Sequence, residues 1–154
     1  MLLLCCLLCF QDAPAFSGTD LKKTLEWIND LKLRYLQKTG NSLIDEENTK
    51  KYEAAIATMK GKKIRYTLNA LHPGKDGVQL VSDGLKGNGV ESSLGFIPDN
   101  PARGRRAYFK VDEKLIRKLR PNDPVILDGQ IAGFEKNYQS NLIITRYKLS
   151  LPSP

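Results

Sequence analysis

The chain has 154 residues and a formal net charge of +7, with 41% hydrophobic and 27% charged residues. This length supports one domain with a real core. The composition is ordinary for a soluble globular protein, and the basic balance points to polyanionic partners without bearing on the fold. Cys5, Cys6 and Cys9 are the only cysteines and fall in the first ten residues. That placement excludes a disulfide framework and a cysteine-based zinc site in the remainder.

Residues 2–10 form an unbroken apolar run, too short for the roughly 20 residues of a membrane span. The run suits the hydrophobic region of a secretory leader, and Ala13-Pro14-Ala15 supplies a small-x-small cleavage pattern. Residues 1–15 are therefore expected to be a signal peptide, and the protein to be exported to a periplasmic or extracellular space. No Lys or Arg precedes the run, and Pro14 is awkward beside a cleavage site. A misassigned start, lipid attachment at Cys9, an apolar strand and a disordered tail stay open as alternatives.

Residues 19–38 read as an amphipathic helix, because Leu21, Leu25, Ile28, Leu31 and Tyr35 recur at three- and four-residue spacing. Thr19 or Asp20 can cap its start, and Gly40 can end it. Trp27, the single tryptophan, lies at the edge of the stripe and suits packing. A second helix is expected over residues 46–60, with the stripe Tyr52, Ala55, Ile56 and Met59 and with Gly61 as its stop. Asp45, Glu46 and Glu47 complement the dipole at its start. Two helices with one apolar face each need a further surface to cover them. Residues 16–60 are thus expected to pack as a helical pair on the C-terminal part of the chain.

From residue 61 the pattern changes to period two. Ile64, Tyr66, Leu68 and Ala70 share one face of a strand over residues 62–71, and Arg65, Thr67 and Asn69 share the other. The turn at residues 72–77 leads to a second strand over 78–83. Residues 84–106 are irregular and glycine-rich, with room for a short strand around 94–97. A third strand is expected at 107–111, then a basic helix over 112–120 capped by Asp112. Two more strands are expected at 125–134 and 141–149, with Gly129 suited to a bulge. Three strands, one helix and two strands is the order of a five-stranded Greek-key barrel, the OB-fold. The expected fold is mostly β with helices: an OB-fold barrel over residues 61–150, preceded by two amphipathic helices and followed by a short tail, 151–154.

Four stretches carry a family resemblance. Lys60-Gly61-Lys62-Lys63-Ile64 and residues 76–81 resemble the strand opening and "DGVQLV" stretch of bacterial OB-fold domains of the tRNA_anti-like group. Leu119-Arg120-Pro121-Asn122-Asp123-Pro124-Val125 is similar to their "L-x-x-G-D-x-V" turn, and Asp128-Gly129-Gln130-Ile131 to "x-G-x-I". Asn122 stands where glycine is usual, and asparagine tolerates the left-handed conformation such a turn needs. The resemblance covers about the last 90 residues, judged by element order against the OB pattern. It implies a barrel that binds nucleic acid or another ligand.

The candidate binding residues combine bases with aromatics. Arg103, Arg105 and Arg106 form the densest arginine cluster, and Tyr108 and Phe109 alternate directly after it. Arg65 with Tyr66, and Arg146 with Tyr147 and Lys148, can extend one face, and Tyr138 marks the tip of the last hairpin. Outward aromatics and basic loops are what a polyanion-binding barrel face needs. The same alternation equally suits Tyr66, Phe109 and Tyr147 in a core with the arginines on a solvated loop. His72 is the sole histidine, and the carboxylates are scattered, so no nucleophile–base pair or acid–base pair stands out. A non-catalytic binding module is expected, with no cofactor and no metal. Its partners would be single-stranded nucleic acid or another polyanion, or an oligosaccharide. The alternative is a protein-interaction module of the cell envelope. A monomer without a membrane span is expected.

Overall fold

The structure is a computed structural model that describes residues 16, 20–82, 94–101, 106–136 and 140–154. Helix α1 (Leu21–Tyr35) begins where the Asp20 carboxylate accepts the N–H groups of Lys22 and Lys23 at 2.8 and 3.3 Å. It buries Thr24, Leu25, Trp27, Ile28 and Leu31. Helix α2 (Ser42–Ala57) starts four residues before the expected position. Asn41 is the reason: its side-chain oxygen accepts from Leu43 N and Ile44 N, so the first turn forms on a cap the apolar stripe does not mark. The chain leaves α2 through Gly61, at φ 85°.

Five strands close a barrel: β1 (Lys63–Gly74), β2 (Gly77–Val81), β3 (Gly95–Pro98), β4 (Pro124–Lys136) and β5 (Ser140–Ser150). Their order around the barrel is β1-β2-β3-β5-β4, with β3 and β5 parallel and every other pair antiparallel. This is the OB arrangement. On β1 the expected face, Ile64, Tyr66, Leu68 and Ala70, is buried, while Lys63, Arg65 and Thr67 face solvent. Gly129 lies where the β4–β5 register shifts, and a Cβ there would come within 2.6 Å of Ile144 Cγ2.

Two elements differ from the sequence-based expectation. The third strand is Gly95–Pro98, not residues 107–111. The short β2 divides its second edge: Leu80 and Val81 pair with β3, and Val78 forms one isolated bridge with Phe109. A single bridge is all the alternating stretch around Phe109 can reach. The helix expected over residues 112–120 is α3 (Glu113–Ile116), one turn long. Beyond it, Lys118 and Leu119 donate to carbonyls three residues back, a tighter winding that leads into Asn122 at φ 68°. Asn122 N–H then donates to the Ala70 carbonyl, and Ala70 N–H to that of Asp123, which fixes this turn against β1.

One hydrophobic core runs through both the helical pair and the barrel. Thr24 Oγ1 and Tyr66 Oη meet at 2.8 Å in its interior, tying α1 to β1. Thr24 Oγ1 also donates to the Asp20 carbonyl, which leaves the Tyr66 hydroxyl as the donor between them. Burial pushes the pKa of the Tyr66 hydroxyl up to about 12, so it keeps that proton at neutral pH. Among the described residues, no helix is long and apolar enough to cross a membrane.

Gly77 leaves less room for a Cβ than Gly129 does. Its φ is 108°, and a Cβ there would lie 2.0 Å from the Phe109 carbonyl oxygen. Gly77→Ala is expected to cost about 2 kcal/mol or more in denaturant unfolding, from strain and from loss of the Val78–Phe109 bridge. A change within about 0.5 kcal/mol, the range of an ordinary surface substitution, would contradict this account of the bridge.

Candidate functional site

The site grows from Phe109. Its backbone exchanges two hydrogen bonds with Val78, at 3.1 and 2.9 Å, and its ring is fully buried. The ring meets Tyr147 of β5 edge-on, with centroids 4.8 Å apart and planes at 87°. Tyr147 Oη in turn accepts the Lys110 N–H at 2.9 Å. These interactions bring the segment before α3 onto β5. Asp112 then caps α3 by accepting from Lys114 N at 2.7 Å.

Between α3 and the end of β5 lies a groove of about 540 Å³. Lys110, Lys114 and Lys118 line one side, and Lys148 lines the other. The spacing of Lys114 and Lys118 puts both on one side of their turn. None of the four ammonium groups is ion-paired among the described residues. Asp112, already engaged as the cap, is the one carboxylate among the described lining residues. Leu115, Tyr147, Leu149 and Leu151 supply apolar surface between the lysines. The result is a cationic trough with an apolar floor.

The candidates expected from the sequence fall into three groups. Arg103, Arg105 and Tyr138 lie outside the described residues. Arg65 and Arg106 are exposed but already hold carboxylates. Arg65 Nη1 meets Asp128 Oδ2 at 2.6 Å across the β1–β4 pair, and Arg106 is paired with Glu135. Asp128 is also the cross-strand neighbour of Lys148. Asp128 is paired with Arg65, and Lys148 lines the groove. Tyr108 is half-buried, one step from the buried Phe109. Arg146 is exposed on β5, two residues from Lys148. The structure therefore brings Arg146 to the strand that lines the groove and leaves Arg65 on the adjoining outer face.

Lys110, Lys114 and Lys118 are not among the residues singled out by the sequence. Lys114 and Lys118 fall there within the expected basic helix, and only the pairing of neighbouring charges distinguishes a free cation from a bonded one. Among the described residues, no three or more His, Cys, Asp or Glu side chains gather in a way that could hold a metal. No family model, curated protein or solved structure matches the sequence.

Arg146 adopts φ 49°, in the β4–β5 register shift opposite Gly129. The left-handed region disfavours a residue with a Cβ by about 1–2 kcal/mol. Glycine relieves this but orders a more flexible chain, at about 0.5–1 kcal/mol. Arg146→Gly is expected to be at least as stable as the parent, and Arg146→Val less stable by about 1–2 kcal/mol. Urea unfolding of the two variants checks the order, and a glycine variant weaker than the valine one would contradict it.

Proposed function

We propose that this protein is a non-catalytic OB-barrel binding module for a polyanion, and that the α3–β5 groove is its binding surface. The observation that carries the reading is the set of ammonium groups, Lys110, Lys114, Lys118 and Lys148, that surround one trough with no ion pair among the described residues. These lysines have no carboxylate partner among the described residues, whereas the charges of Arg65 and Arg106 are already partly offset by Asp128 and Glu135. Arg146 extends the same positive edge along β5. Arg103 and Arg105 belong to this proposal on their sequence position alone. The leader-like residues 1–15 support placing the module outside the cytoplasm.

A second reading has its own observation. Leu33, Leu43 and Ile44 are exposed where α1 ends and α2 begins. An apolar tip on the helical pair favours contact with another protein. Salt separates the two readings, since phosphate binding depends steeply on it and an apolar interface does not.

The test is a titration with a single-stranded oligonucleotide at two salt concentrations. Binding at low salt that weakens steeply with added salt is expected. Changing Lys114 and Lys118 together to Gln should weaken it and lower the log–log salt slope by about 1.4, at about 0.7 for each phosphate no longer neutralised. No binding of the parent at low salt would overturn the polyanion reading. An unchanged slope in the double variant would remove this groove as the surface.

A further inference from the structure

A second groove, of about 360 Å³, lies between α2 and β4, on other elements than the lysine groove. We propose that it binds a short apolar peptide in extended form, with Glu53 receiving the ammonium end and Lys60 the carboxylate end. The volume is in the range of small-ligand sites. Ala57 of α2 and Ala132 and Gly133 of β4 line the groove, so small residues border it on both elements. Its floor is Tyr52, Ile56, Met59 and Ile131, all buried, with Phe134 half-buried beside them. An apolar floor with a flexible thioether accepts aliphatic side chains of differing shape.

The charges set the class of ligand and its direction. Among the described residues, Glu53 and Lys60 are the only charged ones lining the groove; they are opposite in sign, and both are exposed. Neither is ion-paired among the described residues. They are seven residues apart, through the end of α2 and the tighter turn at Thr58–Lys60. Helical rise over that stretch separates their backbones by about 11 Å. An extended chain of three residues spans about 10 Å. A tripeptide with free ends therefore reaches from one charge to the other, while its side chains meet the floor.

The strand side supports the same ligand. The β4–β5 register shifts between Ile131 and Gly133, so the ladder passes over Ala132. A bulge residue of this kind lies outside regular strand pairing. Ala132 lines the groove at this irregular point of the strand.

The experiment titrates the full chain with trileucine and follows backbone amide shifts by NMR. Saturable binding with a Kd of about 1 mM or tighter is expected, with shifts on α2 and β4. Acetylating the peptide N-terminus or amidating its C-terminus should each weaken binding about three- to fivefold, the worth of an exposed ion pair. Glu53→Gln should weaken the free peptide by the same factor and leave the acetylated peptide unaffected. Ala57→Trp, at an exposed position, should fill the groove and abolish binding. Absence of saturable binding at 10 mM, on the order of ten times that Kd, overturns the inference, whatever the oligonucleotide result. So does indifference to the peptide's ends, or a footprint on α3 and β5.

Discussion

Everything at the lysine groove depends on how Phe109 is anchored. A buried ring, two main-chain hydrogen bonds to Val78 and an edge-on contact with Tyr147 fix one residue between β2 and β5. The next residue, Lys110, is held through its N–H by the Tyr147 hydroxyl. From there Asp112 starts a single turn of helix, which is too short to be stable alone. Its position comes from the anchor before it and from the Asn122–Asp123 turn after it, hydrogen-bonded to Ala70. A one-turn helix pinned at both ends presents lysines toward β5 with little freedom to move away.

Charge pairing then divides the basic residues into two kinds. Arg65 and Arg106 neutralise Asp128 and Glu135, and such exposed pairs contribute only about 0–1 kcal/mol each to stability. Asp128 sits between Arg65 and Lys148 across three strands, and Arg65 holds it. Lys148, without an ion pair among the described residues, lines the groove with the three lysines of the α3 segment. On the β1–β4 face Arg65 is paired with Asp128, whereas the four groove lysines have no carboxylate partner among the described residues.

The barrel was legible because its rules are local and repetitive. Alternation on β1 and β4, the glycine at the Gly129 bulge and the left-handed Asn122 all leave marks in the chain. The third strand was misplaced because residues 107–111 alternate as well as any strand does, while β3 is four residues long and nearly all buried. Which of the two completes the barrel is decided by parallel pairing with β5, a contact between distant segments. The site was less legible than the fold for a related reason. A lysine's sequence neighbours say whether it faces water, but its ion pairing depends on residues such as Asp128 and Lys148, brought opposite each other by the sheet.

The central claim is that the unpaired lysines, rather than the arginines, form the polyanion surface. The most direct measurement is an NMR footprint of a single-stranded oligonucleotide on the isotopically labelled full chain at low salt. The account predicts shifts concentrated at Lys110, Lys114, Lys118 and Lys148, with the Arg65 side chain little changed. Shifts centred on Arg65 and Thr67 of β1, with the α3 segment silent, would contradict it.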